Sequence, residues 1–208
     1  MIGLREFRLE THLILLDLEF TCWEDSLDTN WSDVERPPEV IEVALVAYDP
    51  VRDVVSESFA SFVRPSRNAA LSRYCTGLLC ISQSDIDQAP PLKDVLAGLD
   101  EWVARLGMSG APTCSWGIND RVLLAQDAQR SGCCDPFQAC THADLCSLYG
   151  MALRYPPARI CDRDEVRRIL GLSPNHRRHS ALADAMDLVQ FCRRLRDDRA
   201  LQGLSAWS

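Results

Sequence analysis

No apolar run in these 208 residues approaches the length of a membrane-spanning helix, which excludes an integral α-helical membrane protein. The first residues, Met1-Ile2-Gly3-Leu4-Arg5-Glu6, carry an acid and lack the apolar core of a signal peptide, so a cytoplasmic protein is expected. There are ten cysteines but no C-x-x-C pair, and they are scattered through apolar stretches. In a chain without an export signal they are expected to be reduced, buried, small hydrophobes rather than a disulfide framework. The densest group, Cys133, Cys134, Cys140, His142 and Cys146, has zinc-ligand residue types, but an adjacent Cys133-Cys134 pair does not match the usual ligand spacing. Lysine is nearly missing: Lys93 is the single one, and the other basic residues are arginine. An overall excess of positive charge is lacking too, since the net charge is −8, and this argues against a general nucleic-acid coat.

What is present is ordinary for a soluble globular chain: 47% hydrophobic and 25% charged residues, enough for one domain with a proper core. The charge is uneven. Residues 10–50 hold eleven acids and one base, Arg36, whereas residues 154–199 hold eleven arginines against seven acids. That pattern suits an enzyme whose acidic site is neutralised by metal while arginines nearby meet phosphates.

The most informative stretch is Leu13-Ile14-Leu15-Leu16-Asp17-Leu18-Glu19-Phe20. Apolar on both alternating faces, it has the pattern of a strand buried in the middle of a sheet. Side chains at i and i+2 share a face, so Asp17 and Glu19 converge on one place beside Leu13 and Leu15. Two unpaired buried carboxylates cost several kcal/mol, and a hard divalent cation held by oxygen ligands is the natural partner. The same pattern also fits a strand end where both acids reach water or an arginine.

After an acidic loop, Thr21 to Pro38, that holds Trp23 and Trp31, strands are expected at 39–48 and 54–63, completing an antiparallel meander. Helical stretches are expected at 71–79, 92–106, 119–130, from 145 through 153, at 162–170 and at 180–196, with short strands at 112–116 and 139–145. Three meander strands followed by strand–helix units imply an α/β fold with a mixed five-stranded sheet flanked by helices. The domain core spans about residues 12–196, and 197–208 has the composition of a loose tail.

Two more places carry candidate chemistry. Asp120, in Trp116-Gly117-Ile118-Asn119-Asp120, falls in the first turn of a helix, where an acid is favoured by the dipole whether or not it has a further role. On the last helix Ala181, Ala185, Leu188, Phe191, Cys192 and Leu195 share one arc, and Asp184 falls inside it with Asp187 at its edge. An acid on a core-facing arc needs a partner. His179 stands five residues before Asp184; alone it would be a surface or cap residue, but with three other acids it becomes a candidate general base.

Taken together, Asp17-x-Glu19, Trp116-Gly-x-x-Asp120 and His179-x4-Asp184 resemble the three motifs of the DEDDh 3′-to-5′ exonucleases, which have a ribonuclease-H-like fold. The resemblance is closer to the histone-mRNA and small-RNA 3′ exonuclease branch, through Asp17-Leu-Glu-Phe-Thr-Cys-Trp-Glu24, Glu39-Val-Ile-Glu-Val43, Phe62-Val-Arg-Pro65, Leu71-Ser-x-Tyr-Cys75 and Gln83 with Asp87-x-Ala-Pro90. One departure stands out: where that branch has Leu-Thr-Gly-Ile, this chain has Leu78-Leu79-Cys80-Ile81.

The resemblance implies two Mg²⁺ ions, with Mn²⁺ able to substitute. Asp17 would bridge them, Glu19 and Asp184 would complete opposite sides, and Asp120 would act through water. It implies His179 as the base that deprotonates the attacking water. It implies Tyr74 and Trp116 as stacking platforms for terminal bases, and Phe20 and Thr21 as backbone contacts to the terminal nucleotide. The expected activity is release of nucleoside 5′-monophosphates from single-stranded 3′ ends, RNA preferred. DNA or very short oligonucleotides are the alternative substrates, and a non-catalytic nucleic-acid-binding module is the alternative of another class. No membrane partner is expected.

Overall fold

A computed structural model of the chain describes residues 12–26, 28–29, 31–156, 159, 161–173 and 179–197. The expected tail lies, from residue 198 onward, outside the described residues. β1 (Leu13–Phe20), β2 (Val40–Asp49) and β3 (Val54–Phe62) form the antiparallel meander. α1 (Arg73–Leu79), α2 (Gln83–Asp87) and α3 (Leu92–Arg105) follow, then β4 (Thr113–Ser115), α4 (Asn119–Arg130), β5 (His142–Asp144), α5 (Leu145–Ala152), α6 (Arg163–Leu170) and α7 (Ala181–Asp197). The five strands lie in the order β3-β2-β1-β4-β5, with β4 parallel to both β1 and β5. The antiparallel β2–β3 pair is joined by the short turn 50–53, whereas the parallel strands β4 and β5 are reached through helices.

β1 is buried on both faces because helices cover both. Leu13 and Leu15 pack with Leu188, Phe191 and Tyr149 on the α7 side. Ile14, Leu16 and Leu18 pack with Val95, Leu99 and Trp102 of α3 and Leu124 of α4. The alternation that marks the apolar residues therefore aims Asp17 and Glu19 toward α7.

The Leu78-Leu79-Cys80-Ile81 departure has a structural consequence. Cys80 caps the end of α1 in the left-handed region, φ 55°, a conformation that glycine adopts without a Cβ penalty. Replacing Cys80 with glycine is expected to stabilise the protein by up to about 1 kcal/mol, the part of the left-handed penalty not offset by glycine's greater unfolded-state entropy. Urea unfolding of Cys80→Gly checks this; an unchanged or lower midpoint would show that the cysteine side chain compensates.

Candidate active site

Asp17, on the central strand, is 9% exposed, and Asp184, one turn into α7, is 2% exposed. With half-buried Glu19 they form the one group of three or more His, Cys, Asp or Glu residues, among the described residues, whose ligand atoms all lie within 4.8 Å of one another. Asp120 stands outside that triangle, at the first turn of α4. His179 precedes α7 in a left-handed conformation, φ 59°, and its backbone N–H donates to Asp184 Oδ2 at 3.0 Å. Sequence spacing thus placed Asp17, Glu19, Asp120, His179 and Asp184 on segments that the fold brings to one end of β1.

Several residues that hold this arrangement are far away in sequence. Glu42, directly across from Glu19 in the β1–β2 pairing, accepts the Ala181 N–H at 3.2 Å and so fixes the start of α7 to β2. Asp127 accepts the Val40 N–H at 2.9 Å, fastening α4, and with it Asp120, to the start of β2. Asp144 accepts the Gly117 N–H at 2.9 Å while also capping α5. Gly117 has φ 89°, so the turn into α4 needs a glycine at that point. Glu42 was visible only as part of a family-like stretch, and nothing in the local pattern of Asp127 or Asp144 revealed these contacts.

The acids disturb one another. The Asp17 carboxyl is pushed well above its usual range by burial, then by Asp120 and Asp184. Burial also raises Glu19 to about 8, helped by Asp184, Glu42 and Asp120. For Asp120 burial raises the value to about 7, with Arg163 opposing and Asp184 adding. Clustered carboxylates with raised pKa values are typical of a site built for a positive charge. The donor set, carboxylate oxygens only, suits a hard divalent ion such as Mg²⁺ or Mn²⁺ rather than zinc. The cation present is an arginine: Arg163, at the start of α6, donates to Asp184 Oδ1 at 2.8 Å and lies 3.7 Å from Asp17 Oδ1. By contrast, the ring nitrogens of His142, from the cysteine-rich stretch, face the Thr113 and Ser115 hydroxyls.

Beside the acids lies a cleft of about 290 Å³ whose wall includes Glu19, His179, Phe20, Tyr74, Trp23 and Trp31. Leu78 and Leu79 add apolar surface to the same wall. Of the expected nucleotide-contacting residues, Phe20 and Tyr74 reach this cleft and the other two do not. Trp116 packs instead into the core, 4.8 Å from Phe191 and 5.8 Å from Tyr149 between ring centres, with its indole N–H donated to Cys161 O at 3.2 Å. The reason is that Trp116, just past the end of β4, is turned to the α7 side, where Tyr149 and Phe191 pack against it and leave it half-buried. Thr21 is locked as well: its N–H donates to Glu39 O, and its hydroxyl accepts the Glu39 N–H. The cleft also contains Trp23 and Trp31, the two aromatic residues of the acidic loop, which the sequence pattern did not single out as contacts.

Comparison with known proteins places this geometry. The exonuclease family RNase_T matches residues 14–191. The 3′-5′ exonuclease Snipper of Drosophila melanogaster is 25% identical over 206 residues, covering 90% of this chain and 70% of the fly protein. ERI1 exoribonuclease 2 of Danio rerio is 27% identical over 204 residues, covering 89% of this chain but 35% of the fish protein, so the chain spans about a third of that relative. Among solved structures, the nuclease domain of 3′hExo, a DEDDh family member bound to rAMP, superimposes with a TM-score of 0.79 at 24% identity, covering 89% of this chain and 92% of that one. A 3′-exonuclease from a structure of 3′-end-specific histone mRNA stem-loop recognition gives 0.81 at 21% identity, covering 95% and 69%. At these identities the structural likenesses establish the fold, which is the ribonuclease-H-like exonuclease fold.

Proposed function

We propose, for a chain that belongs to the RNase_T exonuclease family, a metal-dependent enzyme of the DEDDh type that shortens single-stranded nucleic acid from the 3′ end, prefers RNA and releases nucleoside 5′-monophosphates. The observation that carries this reading is that Glu19 belongs at once to the acid cluster and to the aromatic cleft, while His179, whose backbone N–H holds Asp184, lines the same cleft. A terminal nucleotide seated in the cleft then has its phosphate at the acids.

Asp17, Glu19 and Asp184 would hold the divalent ions, and Asp120 adds negative charge from α4. Such ions, when bound, stabilise charge on the phosphodiester oxygens and make water a better nucleophile. The His179 ring, at the cleft wall, takes the proton from the attacking water. Tyr74, Trp23 and Trp31 offer flat faces to a terminal base, and stacking of that kind tolerates any base. The preference for RNA is supported by the exoribonuclease names of relatives such as the Danio rerio protein.

Tyr74→Ala and Trp31→Ala are each expected to raise KM roughly 5- to 150-fold, the equivalent of about 1–3 kcal/mol per stacked base, with a smaller change in kcat. A steady-state comparison on one short oligonucleotide measures this, and unchanged KM in both variants would remove the cleft from the binding site. The function itself is tested with 5′-labelled single-stranded RNA and the matching DNA, in magnesium, manganese or EDTA. A metal-dependent ladder shortening from the 3′ end, faster on RNA, is the expected result. Equal or faster digestion of DNA would transfer the substrate assignment to DNA, and no cleavage by folded protein in any metal would overturn the proposal.

A further inference from the structure

Arg163 is the first residue of α6, next to the capping residue Asp162. That is the wrong end of a helix for a cation, since the N-terminal dipole repels positive charge. The rest of α6 obeys the usual rule, with Asp164 and Glu165 in the first turn and Arg167 and Arg168 in the last. Something must hold Arg163 where it is, and the partners are two acids of the metal triangle: Asp184 Oδ1 at 2.8 Å and Asp17 Oδ1 at 3.7 Å. The helix behind it is anchored independently. Val166 is fully buried, and Arg167 makes a two-pronged ion pair with Asp187 of α7 and also donates to Ser173 O at 2.8 Å. The backbone at residue 163 is therefore fixed by contacts other than those of its own side chain, which is 19% exposed.

Asp184 is engaged on both oxygens, Oδ1 by the Arg163 guanidinium and Oδ2 by the His179 N–H. A divalent ion that takes Asp17 and Asp184 as ligands must share or displace the guanidinium. We propose that Arg163 is an internal cation that holds the acid cluster together in the metal-free enzyme and competes with the divalent ion for Asp17 and Asp184, thereby setting how much metal the enzyme requires. This rests on the metal-site reading above. The competition is a coupling between two cations for one pair of carboxylates, and couplings of this kind amount to roughly 5- to 150-fold in affinity.

The test is a Mn²⁺ titration by calorimetry, with melting curves in EDTA, on the full chain and on Arg163→Met, Arg163→Lys and Asp17→Asn. Arg163→Met is expected to bind Mn²⁺ about tenfold more tightly than the parent and to melt several degrees lower in EDTA. Arg163→Lys keeps the charge and should stay near the parent in both readouts, which separates charge from packing and serves if the methionine variant folds poorly. Asp17→Asn should lose the binding. If Arg163→Met shows the parent's affinity or a weaker one, while the parent binds and Asp17→Asn does not, the inference fails and the metal site stands. If neither the parent nor Arg163→Met binds Mn²⁺, the metal reading fails and takes this inference with it.

Discussion

Asp17→Asn is expected to abolish 3′-end shortening, by about 10³-fold or more, and at the same time to raise the melting temperature of the metal-free protein at pH 8. Both effects come from one property of the position. The aspartate sits at the centre of the acid cluster, where burial, Asp120 and Asp184 all disfavour its charged form. On the proposed function, loss of a carboxylate that would hold the divalent ions removes several kcal/mol of transition-state stabilisation, which is where the size of the activity loss comes from. Asparagine keeps the shape and removes the charge, so the repulsion is relieved.

The pH dependence carries the same signature. Ordinary values for these groups are 3.8 for Asp and 4.5 for Glu, whereas the folded values are about 8 for Glu19 and about 7 for Asp120. A carboxyl whose folded pKa is raised contributes fully to stability below its unfolded value and loses that contribution as pH rises through the folded value. In EDTA the parent should therefore lose stability between about pH 4 and pH 8, and magnesium should restore it at the upper end. Asp17→Asn should show a shallower slope and no restoration. Melting curves in EDTA and in magnesium from pH 5 to pH 9, with turnover measured in parallel, make the comparison. A parent whose melting temperature in EDTA is flat with pH and indifferent to magnesium would contradict the acid-cluster account.

His179→Ala is expected to lower turnover by roughly 10²- to 10⁴-fold, the usual contribution of a positioned general base, while leaving the magnesium-dependent rise in melting temperature intact. The separation is possible because Asp184 is held by the His179 backbone N–H, which alanine retains. The position is left-handed, φ 59°, so alanine adds some strain. His179→Asn is the companion variant: asparagine tolerates that backbone better but has no imidazole, and it should be as inactive as alanine. Loss of the magnesium response in both variants would mean that the ring shapes the metal site rather than moving a proton.

Much of the fold was legible because it is written in short-range periodicity. The expected strands and helices match the observed elements within a few residues at most ends, α2 (Gln83–Asp87) being the one that was missed. Five residues leave too short a run for a helical period to register. The alternation of β1 alone dictated that Asp17 and Glu19 share a face with Leu13 and Leu15, and the arc of α7 alone put Asp184 among core residues. Those two local facts outlined the inward-facing acids; Asp120 and His179 joined them through the resemblance of the three motifs.

What stayed hidden depends on which distant segments the sheet order brings together. Nothing within several residues of Arg163 distinguishes it from the other arginines of 154–199, and only the packing of α6 against α7 sends it to Asp17 and Asp184. Glu42 lies 139 positions from the Ala181 N–H that it accepts, and Asp144 lies 27 from Gly117, separations that no periodic pattern spans. Trp116 and the pair Trp23 and Trp31 make the same point from opposite sides. A large aromatic residue at a strand end or in a loop has the same composition whether it meets core or cleft. Its destination was set by the aromatic cluster of Tyr149 and Phe191 in one case and by the open wall beside Glu19 in the other. The sequence by itself determined which acids face inward, because that is a matter of two- and 3.6-residue periods; the tertiary structure decided which cation meets them and which aromatics border them, because those are contacts between segments that only the folded sheet makes neighbours.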